Sequence, residues 1–273
     1  MKYTIRQFQQ DFPTEQACLD YVFHKRYPDV TQFYPVKGRK CYANPQGKQI
    51  HPLKGTIFEK SSTPLTLWFY AIFLFSQAKN GVSAKELERQ LGVTYKCAWR
   101  IAKQVRSLMS GDDSPLTGII EVDEAYIGGK GGNRLKGGKT ISDKTILFGM
   151  IERNGNARVR KVISSGVRIL VPQIQANVDK TATIYSDSWR GYDSLVKVGY
   201  DHETVNHLHN EWVRNNVHTN TIEGFWSQLK RSINGTYHSV SPKYLQSYAD
   251  EFAFRYSFRK FPLPMFDLLM KQV

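Results

Sequence analysis

From Gly118 onward the chain changes from helical to strand-forming patterns, and the order of the new segments is what most restricts its fold. β-Branched runs at 118–127, 144–152 and 157–164 predict three strands, the last two joined by the turn Arg153-Asn-Gly-Asn156. Residues 167–178 have helical periodicity, 182–187 form a short strand, 191–198 a short helix and 204–207 a last strand. A long amphipathic helix follows, with Ile222, Phe225, Trp226, Leu229 and Ile233 on one apolar stripe. Three hairpin-linked strands followed by alternating helix and strand predict an α/β (α+β) mixed sheet in which the first and fourth strands are neighbours, about 4.8 Å apart.

That order brings acidic residues together. Asp123 lies in the first strand and Asp187 ends the fourth, so the two can face each other while the helix bearing Glu223 packs across that edge. Asp187 and Glu223 are separated by 35 residues. Lys230, seven residues after Glu223, returns to nearly the same azimuth about 10 Å farther along the axis, so one helix face carries a carboxylate and then a cation. Asn220, three residues before Glu223, also has the spacing of a capping box, in which both side chains only serve free amides at a helix start.

The chain has 273 residues and a net charge of +14, which points to an extended polyanion as partner or to a solvated basic surface. Residues 1–113 hold 17 Lys and Arg against 9 acids and residues 114–273 hold 21 against 15, so both halves can touch such a partner. Hydrophobic residues make up 41%, enough for a sizeable core. Three cysteines, Cys18, Cys41 and Cys97, form no CxxC pair, which fits a reducing cytoplasm and gives no zinc finger. The N-terminus has no signal-peptide apolar region, and the run 65–75 is about half the length of a membrane span.

Residues 1–60 carry several X-Pro steps; they predict one short helix within 12–27 and a small ribbon of strands within 32–58 that must lean on its neighbours. A helix capped by Thr63, with Pro64 in its first turn, runs to about Lys79. Residues 82–106 then read as helix, tight turn, helix: Ser83 with Glu86 makes a capping box, Gly92 stops the first helix and Thr94 caps the second. This is either a plain helical hairpin or a helix-turn-helix, whose second helix would bring Thr94, Tyr95, Lys96 and Arg100 to the major groove. Segment 111–115 marks a boundary, giving a ribbon-like region at 1–60, a helix-turn-helix domain at 61–113, a core at 114–240 and a helical extension at 241–273 packing on that core.

Between the first two core strands lies a glycine-basic loop, 128–139, with Lys130, Arg134, Lys136 and Lys139. It either stays solvated or, mobile when free, clamps phosphates when DNA binds; Arg231, beside Lys230, is a further basic candidate.

The pieces Gly55-Thr-Ile-Phe-Glu59, Pro64-Leu-Thr-Leu-Trp68, Glu121-Val-Asp-Glu-Ala-Tyr-Ile-Gly-Gly129, Tyr185-Ser-Asp187 and His218-Thr-Asn-Thr-Ile-Glu-Gly-Phe-Trp226, continuing to Lys230, resemble the bacterial insertion-sequence DDE transposases, closest to the ISXO-two-like group. That resemblance covers nearly the whole chain and implies a ribbon and a helix-turn-helix ahead of an RNase H-like core. It implies a DNA transposase that binds the inverted-repeat ends of its own element, cuts strands and transfers 3′-hydroxyl ends into target DNA. Asp123, Asp187 and Glu223 would be catalytic and hold two Mg2+ ions, with Mn2+ able to substitute; Asp123 would bridge both, and Asp187 and Glu223 would each complete one. Lys230 would hold the DNA backbone.

Members of that family commonly carry paired cysteines near positions 30 to 50, whereas only Cys41 stands there, so a zinc-free ribbon is expected. Some relatives use Asn as the third catalytic residue, which makes Asn220 an auxiliary candidate beside Glu223. Pairing two DNA ends implies at least a homodimer on DNA, acting on the nucleoid in the bacterial cytoplasm and on no membrane. A non-cutting DNA-binding regulator and an RNase H-like nuclease without strand joining are the alternatives. Glu121 and Glu124 are read as structural, as are His207, His209 and His218 unless they contact DNA; Trp189 and Tyr192 are core or stacking residues, and Arg255, Arg259 and Lys260 candidate phosphate contacts.

Overall fold

A computed structural model describes residues 3–110, 114–129, 134–136, 139–141, 144–187, 192–205, 213–214 and 216–273, with the backbone alone described at 134–136 and 139–141. Two units form, one from the chain up to Leu108 together with Phe261–Val273, the other from Met109–Lys260.

The N-terminal unit begins with α1 (Ile5–Asp11), a helix not anticipated from the sequence, with a Thr4–Gln7 capping box, followed by α2 (Glu15–Arg26), the helix expected within 12–27, capped by Thr14. Strands β1 (Tyr34–Pro35), β2 (Tyr42–Ala43) and β3 (Gln49–Ile50) then form an antiparallel ribbon. Two-residue strands bury little, and α2 supplies what they lack. The Tyr42 ring stacks on Phe23 at 3.9 Å, its hydroxyl donates to Asp20, Lys40 pairs with Glu15 at 2.8 Å, and Arg26 donates to the Lys54 carbonyl at 2.7 Å.

Next comes α3 (Leu65–Gln77), whose cap differs from the sequence expectation. Pro64 occupies the N-cap position, so Thr63 sits one residue too early; the Glu15 carboxylate accepts from the amides of Leu65 (2.6 Å) and Thr66 (3.3 Å) instead. The pair α4 (Ala84–Leu91) and α5 (Tyr95–Ser107) is capped locally by Ser83 and Thr94, with Gly92 left-handed between them at φ 63°. Glu86 does not complete a capping box, because its carboxylate pairs with Arg89 and Gln90. Leu87, Ala98, Ile101 and Val105 are fully buried.

The C-terminal residues divide between the units. Helix Met265–Met270 belongs to the N-terminal unit, where Phe266 joins Phe8, Phe12 and Phe69 in an aromatic cluster, so the extension expected over 241–273 is not one element on the core.

The second unit is built on a five-stranded mixed sheet with helices on both faces. Strand β4 (Ile119–Ile127) is followed by a two-stranded hairpin, β5 (Arg134–Lys136) and β6 (Lys139–Ile141), inside the glycine-basic loop. Then come β7 (Thr145–Glu152), β8 (Ala157–Val162), α6 (Val167–Asn177), β9 (Thr183–Asp187), α7 (Ser194–Lys197), β10 (Asp201–Val205), α8 (Asn220–Ser232) and α9 (Leu245–Ser257). The sheet order is β10-β9-β4-β7-β8; β4, β7 and β8 are antiparallel hairpins, while β9 runs parallel to β4 and β10 parallel to β9. The last strand lies earlier than the expected 204–207, because β10 pairs residue for residue with β9 from Asp201 and its polar His202-Glu203-Thr204 run hides the pattern.

Alternation along each strand builds two cores. Ile120, Val122, Phe148 and Met150 pack under α6 and α7 with Leu170, Ile174, Tyr192 and Leu195. On the other face Ala125, Ile127, Leu147 and Ile151 pack against Ile222, Phe225, Trp226 and Leu229 of α8 and Phe252 of α9. Side chains of α9 also satisfy the edge strand β8: Gln246 accepts from the Lys161 amide (2.6 Å) and donates to the Val159 carbonyl (2.9 Å), and Ser257 accepts from the Ala157 amide (3.0 Å).

Candidate active site

Parallel pairing of β4 with β9 places Glu121 opposite Tyr185. The ladder ends there, and Asp123 and Asp187 each lie two residues farther along their strands; by alternation Asp123 shares the sheet face of Ala125 and Ile127, which α8 covers. Helix α8 presents Ile222, Phe225, Trp226 and Leu229 to the sheet and leaves Glu223 and Lys230 exposed at its side, as the helical spacing requires. Trp226 is admitted only because β7 has a glycine opposite Asp123: a Cβ on Gly149 would stand 2.6 Å from the indole.

The Asp123 carboxyl is pushed up to about 6, first by burial and then by the charges of Asp187 and Glu223, while a hydrogen bond from Trp226 acts in the opposite direction. Trp226 Nε1 is buried without a well-formed hydrogen bond, so its pull on Asp123 is that of a nearby N–H dipole. Glu124 points to the opposite face, where Tyr192 donates to it at 2.8 Å; burial, then Asp123 and Asp187, raises it to about 7. An all-carboxylate oxygen set with mutual repulsion suits hard divalent cations. Among the described residues, no group of three or more His, Cys, Asp or Glu stands in ligating geometry, so the three carboxylates share a field rather than a common centre.

The helix start departs from the capping-box expectation. Thr219 holds the N-cap position but its side chain makes no cap bond; its hydroxyl donates to Glu223 at 3.1 Å. The cap comes from β4: Glu121, fully buried, accepts from the amides of Thr221 (2.8 Å) and Ile222 (3.0 Å) and from the Thr221 hydroxyl (2.8 Å). Arg153 pairs with Glu121 at 2.7 Å, and His218 Nδ1 lies 3.3 Å from it. Asn220 is exposed in the first turn, with neither capping partner. The signal for Glu121 was its place two residues before Asp123, on the same strand face.

The other candidates lie apart from this group. Lys230 and Arg231 are exposed on α8. Thr94, Tyr95 and Lys96 are exposed at the start of α5, whereas Arg100 donates to Ser61 at 3.0 Å and lies over the Trp68 ring at 5.4 Å. Lys130, Trp189, His207 and His209 lie outside the described residues, and Arg134, Lys136 and Lys139 lie on the backbone of the β5–β6 hairpin. Tyr192 is fully buried and belongs to the core. Arg255 is buried and paired with Glu251 at 2.7 Å, Arg259 stacks on Tyr256 at 3.6 Å, and Lys260 is exposed. Cys18 and Cys41 are buried, Cys97 is partly buried, and all three are free thiols. Among the described residues no helix is long and apolar enough to cross a membrane.

Comparison with known proteins adds the family. An uncharacterized protein in transposable element ISH50 of Halobacterium salinarum is 28% identical over 219 residues, 74% of this chain and 72% of that protein. An uncharacterized transposase-like protein of Haemophilus influenzae is 26% identical over 88 residues, 32% of this chain and 70% of its own length. A chain in the simian T-cell lymphotropic virus intasome bound to PP2A regulatory subunit B56 gamma aligns at 11% identity with a TM-score of 0.31. That alignment covers 62% of this chain and 63% of the other, under two thirds of its length. The pattern of the ISXO2-like transposase domain matches residues 115–257, the acidic strands and α8 included. A match over more than half of its length means that the chain belongs to the ISXO2-like transposase family.

Proposed function

We propose that this chain binds the inverted-repeat ends of its own insertion sequence, cleaves DNA there and transfers the 3′-hydroxyl ends into target DNA. The observation that carries it is the shared field: Asp123 on β4 is raised by burial and then by Asp187 on β9 and Glu223 on α8, three carboxylates from three elements turned to one edge. Asp123, Asp187 and Glu223 would hold two magnesium ions, or manganese in their place, which supply activation of a water or 3′-hydroxyl and stabilisation of the leaving oxygen. Lys230 grips the DNA backbone as a point charge, and Arg231 adds a planar guanidinium that suits a phosphate. The exposed start of α5, with Thr94, Tyr95 and Lys96, enters the major groove as the second helix of a helix-turn-helix, and Arg100 braces that helix against Ser61 and Trp68. Lys130, Arg134, Lys136 and Lys139 clamp phosphates. Joining two ends requires at least a dimer on DNA, and the substrate lies in the bacterial cytoplasm.

The test is incubation of the protein and Mg2+ with a plasmid carrying its gene and native flanks, with broken and joined strands mapped to the nucleotide. Breaks at short inverted repeats bounding the gene, absent with Asp187→Asn and Glu223→Gln while end binding persists, are expected. Retained cleavage in both variants overturns the assignment. Binding without breaks identifies a regulator, and breaks without joined products identify a nuclease.

A further inference from the structure

Arg153 sits just past β7 and is almost enclosed, with its side chain 13% exposed. Its Nε donates to Glu121 at 2.7 Å, Nη1 to the Asn216 carbonyl at 2.7 Å, and Nη2 to the His218 carbonyl at 3.0 Å. The guanidinium carbon lies over the Tyr185 ring, 4.9 Å from its centroid. These contacts fall on both strands that carry acids and on the segment that leads into the helix carrying the third. Glu121 is two residues before Asp123, Tyr185 is two residues before Asp187 and pairs with Glu121 in register, and residues 216–218 lead into the helix that bears Glu223. Glu121 completes the set by capping that helix at Thr221 and Ile222, the two residues before Glu223.

We infer that the Arg153–Glu121 pair is the positioning device of the acidic site, fixing the strand pair that carries Asp123 and Asp187 and the helix that carries Glu223 in one mutual arrangement. This rests on the three carboxylates being the metal-binding group proposed above. Like charges drive such elements apart, and an apolar plug of the same volume would hold them together without setting their angle. A planar guanidinium with every nitrogen engaged, and a carboxylate shared between a strand and the two amides at a helix start, both set direction as well as distance. The set-back of two residues, about 6.6 Å along a strand, keeps the pair close behind the reacting edge without occupying it.

The test uses the full chain with Arg153→Lys, which keeps the charge but loses the fork, and Glu121→Gln, which keeps the shape but loses the charge. Mn2+ affinity of the DNA-free protein is measured by calorimetry, amide exchange is followed at Thr221 and Ile222, and the metal concentration for half-maximal cleavage of an end duplex is determined. Each variant is expected to bind Mn2+ about 10–100-fold more weakly, as loss of an outer-shell partner does. The expected set also includes faster exchange at the two amides, a metal requirement raised by a similar factor, partial recovery of rate in excess Mn2+, and end-DNA affinity within about twofold of native. Native Mn2+ affinity and metal dependence in both variants, with an intact melting transition, overturn the inference. If either variant loses that transition, Tyr185→Leu, which removes only the ring beneath the guanidinium, carries the same test. Glu223→Gln separates the two claims. If it binds Mn2+ and cleaves as native, the metal-site proposal fails; if it is inactive while the clamp variants behave as native, only the clamp fails.

Discussion

The helices α5 and α8 are each 13 residues long and both are placed against DNA in the proposal, yet they are started in opposite ways. Helix α5, like α4 before it, is capped by the residue immediately preceding it, Thr94 and Ser83 respectively, with Gly92 closing the turn between. Helix α8 has no side-chain cap of its own and borrows a carboxylate 100 residues upstream, Glu121. A locally capped helix can form its first turn wherever it is put. A remotely capped one is registered against its partner strand, which suits a helix proposed to hold one carboxylate opposite two others. Helix α3 shows the same device in the N-terminal unit, where Glu15 of α2 serves the amides of Leu65 and Thr66.

Substitutions can break this contrast, and the largest effect is expected at Glu121. Glu121→Ala strands the buried Arg153 guanidinium and two helix amides, and should cost about 3–5 kcal/mol in chemical denaturation. A loss comparable to that of Ser83→Ala would mean the remote cap adds no more than a local one. Gly149→Ala comes next: a Cβ 2.6 Å from the Trp226 ring must push α8 off β7, costing about 1–3 kcal/mol and lowering cleavage with it. Unchanged melting and activity would show that α8 rides freely over the strand.

The acidic edge itself should weigh against stability. The folded-state value for Asp123, about 6, lies above the ordinary 3.8, so the folded protein binds the proton more tightly. Stability from this group is therefore present at low pH and lost as pH rises through about 6. Asp123→Asn should stabilise the metal-free protein at pH 8 by an amount on the order of 2–3 kcal/mol in chemical denaturation, and the gain should vanish toward pH 4. A pH-independent gain, or none, would remove repulsion from the account of the site. The smallest effects are expected at caps outside the acidic edge: Ser83→Ala and Glu15→Ala should each cost about 1 kcal/mol. Amide exchange should loosen the first turn of α4 alone in the former, and both α3 and the Lys40 contact in the latter.

Where local signals agree with the fold, the sequence sufficed. The turn 153–156, the Ser83 and Thr94 caps, the apolar stripe of α8 and the strand periods of β4 and β7 are all short-range patterns, and each appears in place. Together they order the sheet and bring Asp123, Asp187 and Glu223 to one edge. What the sequence could not express are long-range substitutions for local chemistry. Thr63 looked like a cap until Pro64 displaced it, Asn220 until Glu121 took its amides, and β10 carries too polar a run to announce itself.

The sequence by itself therefore determined the order of the main core strands and helices and singled out Asp123, Asp187 and Glu223 as candidates, because periodicity and turn chemistry act over a few residues. Tertiary structure alone decided how those acids are held. Arg153, Gly149 and Tyr185 acquire their roles only when β4, β7, β9 and α8 meet, since a hydrogen bond or a ring contact depends on distance in space and not on distance along the chain.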